Sequence, residues 1–175
     1  MVSYNSPMAP RIAVLLLASF VSISCGASTD AVAAIEPLDV VTGWYDDGLI
    51  EGGKNKLVPS VSMKLRNKSD RPIRSIQINA IFRRVGEQQM WGEHFGWAIP
   101  REPELAPGAE TKPLVMRSTL GYTGEQARMQ MLQHSQFVDA KVEIYLKRGS
   151  KVWAKLAEYP IQRQLITRRT EPPTP

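Results

Sequence analysis

Residues 138–147 read VDAKVEIYLK, and their side chains alternate strictly between apolar and polar. Apolar residues at every second position are typical of a β-strand that buries one face. Shifting the register by one residue would turn the Lys and Glu side chains inward, so the pattern also decides which face is buried. We therefore predict a strand whose core-facing residues are Val138, Ala140, Val142, Ile144 and Leu146.

The same period of two recurs along the chain between Leu38 and Leu165. Two more stretches are regular, one through Val61, Met63 and Leu65 and one over 75–83. Four less regular stretches predict the remaining strands: 38–45, 90–99, 112–118 and 151–160. Polar, turn-forming segments separate them, most clearly 67–72 and 148–150.

Seven short alternating strands predict an all-β fold, a seven-stranded antiparallel immunoglobulin-like β-sandwich. Only 123–133 predicts a helix, which we place in a crossover between the sheets. Thr123 is its expected cap, and we expect Ala127, Met131 and Leu132 to face inward. The chain has one cysteine, so no disulfide can form within it, and apolar burial must hold the sheets together.

The amino terminus has the layout of an export signal. Arg11 is the one charged side chain in residues 1–25, and it precedes the apolar run 12–21. This run is too short to cross a bilayer as a helix, which takes about 20 residues. A basic residue, a short apolar run and then small residues are typical of a secretory signal. The predicted organisation is as follows: signal peptide 1–25, flexible tether 26–37, β-sandwich domain 38–166 and disordered Pro-rich tail 167–175.

The end of this signal, Val21-Ser22-Ile23-Ser24-Cys25-Gly26, resembles a bacterial lipobox. The resemblance implies that the Cys25 thiol receives a diacylglycerol and that the signal is cut just before it. The mature protein would then be a lipoprotein that is anchored in a membrane and faces the periplasm. Cleavage after Ala27 or Ala34 is the alternative; Cys25 would be lost and the protein would be soluble in the periplasm or secreted.

Two internal segments resemble bacterial extracytoplasmic FxLYD-like domains. Residues 64–73 are similar to that family's strand followed by an Asn-polar-Pro turn, and 105–110 to its Leu-Pro-Gly entry into a strand. The family's aromatic-Leu-Tyr-Asp stretch is replaced by Phe-Arg-Arg-Val-Gly at 82–86. The resemblance implies a small immunoglobulin-like sandwich, often carried by a lipoprotein and without catalysis, and it assigns no site.

The net charge of +5 hides a concentration of basic residues. Residues 54–84 hold nine Lys or Arg and one acid, Asp70. We expect two neighbouring strands to share a candidate binding face for anionic lipid head groups, an anionic envelope polymer or an envelope protein. Its residues are Lys64, Arg66, Arg83 and Arg84. The alternative is a solvated face with ion pairs to Glu143 or Asp139. An exported protein rarely meets nucleic acid, so we predict no nucleic-acid partner.

Trp91 and Trp97 form a candidate aromatic contact. Strict alternation places both on one face of a strand, together with Glu93 and Phe95. If exposed, they could stack on sugar rings, which gives the alternative function of a free periplasmic or secreted glycan-binding domain. If buried, they belong to the core, which is the commoner place for large aromatic side chains in a sandwich.

The sequence contains none of the common catalytic fingerprints, from the nucleophile elbow to the phosphate-binding loop. His134 and Ser135 are neighbours in sequence, which does not make a catalytic triad. Asp46 and Asp47 precede Gly48 and favour a turn over a calcium site. We therefore predict no enzyme activity, no cofactor and no metal site. The predicted function is that of a non-catalytic, membrane-anchored binding or assembly module.

Overall fold

The structure is a computed structural model that describes Met1 and residues 31–166 of the 175-residue chain. The described part is mostly β. Its elements in chain order are α1 (Ala31–Ala34), β1 (Ile35–Leu49), a 3-10 turn (Glu51–Gly53), β2 (Asn55–Asn67), β3 (Ile76–Arg84), β4 (Gly92–Ile99), β5 (Leu114–Arg117), β6 (Tyr122–Gly124), α2 (Arg128–Gln133), β7 (Ala140–Arg148), β8 (Ala154–Pro160) and β9 (Leu165–Ile166).

Strand β7 has the register that its alternation predicts. The side chains of Ala140, Val142, Ile144 and Leu146 are buried, and the alternate residues point to the outer face of the sheet. Val138 lies outside the strand and is exposed, so the predicted strand begins two residues too early.

The strands form two sheets. One is four-stranded in the order β4-β3-β7-β8, with every neighbouring pair antiparallel. The other is five-stranded in the order β5-β2-β1-β9, and β6 pairs with a second part of β2. The β1–β9 pair is parallel, and the other pairs in this sheet are antiparallel. The predicted all-β class is confirmed, with two short strands, β6 and β9, beyond the seven predicted.

One buried apolar cluster lies between the two sheets and joins them. Residues 31–166 contain no cysteine, so burial of apolar side chains holds the sheets together in the described part. Each large side chain in such a core contributes about 1.5–3 kcal/mol. The largest fully buried side chains are Trp44, Phe82, Ile35, Leu57, Met63, Leu65, Ile76, Ile99, Met116, Leu132, Ile144 and Leu146.

The folded domain begins earlier than predicted. Residues 31–37, which we expected in the tether, form α1 and the start of β1. The small side chains of Ala31 and Ala34 are buried, and α1 contacts β7 and β8, so this segment closes one end of the core. The Lys68 N–H also donates to the Ala34 carbonyl at 3.0 Å. The rest of the predicted tether and signal peptide, Met1 excepted, and the predicted tail lie outside the described residues.

The predicted helix forms only over its second half, as α2. Thr123, the expected cap, instead lies in strand β6 and pairs with Lys56 of β2. This pairing is possible because β2 extends beyond the end of β5 and offers unpaired backbone groups there. Met131 and Leu132 are buried as predicted, whereas Ala127 is exposed at the start of the helix. Helix α2 lies between β6 of one sheet and β7 of the other, so it occupies a crossover as predicted.

Candidate binding surfaces

The four residues of the predicted basic face do not share a surface. Lys64 and Arg66 belong to β2 in the five-stranded sheet, whereas Arg83 and Arg84 belong to β3 in the four-stranded sheet. The two strands follow each other in sequence, but residues 68–75 carry the chain from one sheet to the other. The outer faces of two packed sheets point in opposite directions, so the prediction of one shared basic face is wrong.

On the five-stranded sheet, carboxylates lie against the two cations. Lys64 Nζ is 2.8 Å from a carboxylate oxygen of Asp39, and Arg66 Nη2 is 2.7 Å from one of Glu110. A second carboxylate, that of Glu36, lies 3.7 Å from Arg66. The hydrogen bond from Lys64 lowers the pKa of Asp39, and that from Arg66 lowers the pKa of Glu110. These ion pairs neutralise the positive charge locally and leave little to attract an anionic partner.

On the four-stranded sheet, the arrangement is reversed, and donors surround one buried carboxylate. Glu143 is 9% exposed and accepts hydrogen bonds from Arg83 Nε at 3.3 Å, Lys155 Nζ at 3.4 Å and the Tyr145 hydroxyl at 3.2 Å. Burial by itself raises the pKa of Glu143, but the hydrogen bonds from Arg83 and Lys155 outweigh it, so the net pKa is below the ordinary value. The ion pair between Arg83 and Glu143 is the one named in the alternative prediction.

The remaining predicted charges also have partners. Arg84 Nη2 lies 2.9 Å from a carboxylate oxygen of Glu87. Asp139, the other carboxylate named in the alternative prediction, pairs with Arg163 at 2.6 Å and not with a residue of the 54–84 segment. The four residues of the predicted face are therefore distributed over two sheets, and each is paired with an acid.

Trp91 and Trp97 do not form a common aromatic surface. Trp91 lies before the first residue of β4, where alternation no longer fixes the face, and its ring packs against Tyr122 at 5.0 Å and Trp44 at 6.1 Å between centroids. Trp97 lies within β4 on the outer face and is 58% exposed. Trp91 therefore packs against the core, and Trp97 lies on the surface.

Two further aromatic side chains, Phe95 and Trp153, belong to this outer face. Phe95 shares the outer face of β4 and is 56% exposed. Trp153, just before β8, meets Phe95 edge-on, with ring centroids 6.0 Å apart and ring planes at 76°. Trp153 was not predicted as a contact residue, because it falls in the less regular predicted strand 151–160, whose alternation does not fix a face. The available signal was the Lys-Val-Trp sequence directly after Gly149 and Ser150.

His134 lines an open pocket of about 290 Å³ beside α2, together with Tyr122, Met131 and Phe137. Its Nδ1 accepts a hydrogen bond from the backbone N–H of Gln136 at 3.2 Å, so its own turn occupies one ring nitrogen. Among the residues that the structure describes, no group of three or more His, Cys, Asp or Glu side chains is placed to hold a metal ion.

No protein-family profile matches this sequence, and a comparison with curated proteins finds no similar one. Over the described ranges, Met1 and 31–166, no helix combines the length and apolar character needed to cross a bilayer. Cys25, the predicted lipidation site, lies outside these ranges. The chemistry of the surfaces and of the amino-terminal segment therefore carries the functional argument.

Proposed function

We propose that the protein is a non-catalytic binding or assembly module of the bacterial envelope, held at a membrane through lipid on Cys25. The observation that carries this proposal is the lipobox-like segment 21–26 and its position relative to the folded domain. The first described element begins at Ala31, and five residues, 26–30, lie between it and the cysteine in sequence. A segment of that length reaches at most about 18 Å, so the anchor would keep the domain beside the bilayer.

The proposal includes an immunoglobulin-like type for the sandwich, as the FxLYD-like resemblance implies. Two packed sheets support it, with the chain passing between them through residues 68–75 and through α2. The well-filled core favours contact with a partner through outer faces, edges and ends of the sheets. The alternative of a glycan-binding domain built on Trp91 and Trp97 has less support, because Trp91 packs against the core and only Trp97 is exposed.

The test is expression of the full chain in a bacterium that processes lipoproteins, followed by membrane fractionation and intact-mass measurement. The mature protein is expected to begin at Cys25, to carry the mass of its acyl chains and to sediment with membranes. Cys25→Ala is expected to move it to the soluble fraction, because burial of acyl chains supplies the membrane affinity. Ser28→Ala, a control just beyond the anchor, is expected to leave mass processing and fractionation unchanged. A mature protein without acyl chains would refute the anchor.

A further inference from the structure

We propose that one end of the four-stranded sheet is a contact surface for an anionic lipid bilayer. This surface, called the aromatic–basic rim, comprises Phe95, Trp97, Lys147, Arg148, Val152 and Trp153. The inference rests on the proposed function in one respect, since it takes from it that the domain works beside a membrane. It does not need the acyl chains on Cys25.

The apolar part of the aromatic–basic rim is exposed to solvent. Val152, in the turn between β7 and β8, is 88% exposed, and Phe95 and Trp97 are each more than half exposed on the adjoining face of β4. The contact of Trp153 with Phe95 makes one continuous patch of the turn and the β4 side chains. Water surrounds these side chains at a free-energy cost that burial in a partner surface would remove.

The β7–β8 turn beside this patch carries charge of one sign, although the acid Glu93 lies two residues from Phe95 on the same face of β4. Residues 144–157 contain four basic side chains and no acidic one. Lys155 is already engaged by Glu143 and Glu158. Arg148, by contrast, makes no ion pair with another described residue, and Lys147 Nζ lies 5.2 Å from the centroid of the Trp153 ring. Arg148 and Lys147, which flank the exposed aromatic side chains, therefore remain available to an anionic surface, unlike Lys64 and Arg66.

The combination of an exposed aliphatic side chain, Trp rings and flanking cations matches the interface of a bilayer. Trp rings favour the head-group level, aliphatic side chains insert slightly deeper, and Lys or Arg pair with anionic head groups. Sugar stacking requires an open, accessible ring face. Phe95 and Trp153 stand at 76° to each other and Lys147 lies over Trp153, so these rings form no flat platform for a glycan.

The position of the aromatic–basic rim agrees with this assignment. Ile35 at the start of β1 pairs with Asn67 at the end of β2, and Ile76 at the start of β3 pairs with Arg148 at the end of β7. Residues 68–75 connect the end of β2 to the start of β3, so these two strand ends lie at the same end of the sandwich. The chain therefore enters the folded domain at the end of the sandwich that carries the aromatic–basic rim, and a short anchor would bring this end to the bilayer.

The test measures binding of the full chain to vesicles in a Cys25→Ala background, so that no acyl chain contributes. The vesicles contain equal amounts of phosphatidylglycerol and phosphatidylcholine, or phosphatidylcholine alone. The parent is expected to bind the anionic vesicles, with a blue shift of tryptophan emission and with binding that weakens as salt is added. The double variant Arg148→Glu/Val152→Asp is expected to lower the partition coefficient about tenfold.

A matched control changes the same kinds of side chain at the other end of the sandwich. Leu49, the last residue of β1, is 68% exposed, and Lys54 lies just before β2; both are at the β1–β2 turn, far from the aromatic–basic rim in register. Lys54→Glu/Leu49→Asp makes the same change in net charge and is expected to keep the partition coefficient within about twofold. Circular dichroism checks that both double variants remain folded.

Three results would overturn the proposal: equal losses in the two double variants, binding to neutral vesicles as strong as to anionic ones, or no binding by the parent. Binding of a soluble oligosaccharide that shifts tryptophan emission and is abolished by Trp97→Ala would reassign the surface to glycans. Every variant in the vesicle experiment lacks Cys25, so absence of vesicle binding would not affect the mass and fractionation test of the lipid anchor. Conversely, a mature chain without acyl groups can still bind vesicles through the aromatic–basic rim.

Discussion

The basic residues on the two outer faces of the sandwich differ in the burial of the carboxylates with which they pair. On the five-stranded sheet, Lys64 and Arg66 pair with carboxylates in solvent-exposed positions. On the four-stranded sheet, Arg83 donates a hydrogen bond to the buried carboxylate of Glu143. Exposed ion pairs contribute little because water competes with both partners, whereas a buried carboxylate depends on its donors. The same residue types therefore have different energetic roles, which composition alone cannot distinguish.

The largest expected effect concerns the pairing of β6 with β2 within the five-stranded sheet. Gly121 lies just before β6, and a Cβ added there would stand 2.1 Å from the backbone carbonyl oxygen of Leu57. Gly121→Ala must therefore push β6 away from β2 and displace Tyr122 from its ring contact with Trp91. We expect a loss of about 2–3 kcal/mol in the free energy of unfolding, measured by urea denaturation.

Gly96→Ala is the control for this change, because the nearest atom to an added Cβ there is the His94 Nε2 at 3.7 Å. It is expected to leave the midpoint of denaturation nearly unchanged. If both substitutions lower the midpoint equally, the close approach of β6 to β2 is not the reason that a side chain at position 121 destabilises the fold.

The next effect tests the difference between the two faces directly. Arg83→Leu leaves the buried carboxylate of Glu143 with one donor fewer, and we expect a loss of about 1–2 kcal/mol in unfolding free energy. This is less than for a fully buried pair, because the Arg83 side chain is still 21% exposed. Arg66→Leu, the matched substitution on the other face, is expected to leave the urea midpoint unchanged within error. Equal losses would remove the distinction between the faces.

The smallest effect is a pH dependence at the edge where the sheets adjoin. Burial, followed by the positive charge of Arg117 in β5, lowers the pKa of His94 in β4 below its ordinary value of 6.5. The folded state therefore binds a proton less readily than the unfolded state, and stability must fall as the pH drops from 6.5 through the lowered pKa. Above about pH 7.5 the residue is neutral in both states and contributes no such dependence.

His94→Gln is expected to flatten the profile of unfolding free energy against pH between about 7.5 and 5. An NMR titration of the His94 ring checks the cause, since its midpoint should lie below 6.5. A midpoint above that value would contradict the prediction.

Local patterns accounted for much of the fold because they depend on the chain's own periodicity. The alternation at 140–147 gave the correct buried face of β7, and the turn residues at 148–150 correctly separated β7 from β8. The surface chemistry was less accessible, because it depends on which strands become neighbours. Trp97 was recognised as a candidate, but Trp153, which packs against the neighbouring Phe95, is distant in sequence and precedes β8.

The sequence by itself determined the all-β class, the register of β7 and the place of the short helix, because side-chain periodicity acts over a few residues. The tertiary structure alone decided that β2 and β3 belong to different sheets, which divided the basic segment between two opposite faces. It also placed Trp91 against the core and Trp97 on the surface. Packing two sheets around one apolar cluster is a global requirement, and no pattern within a single strand contains it.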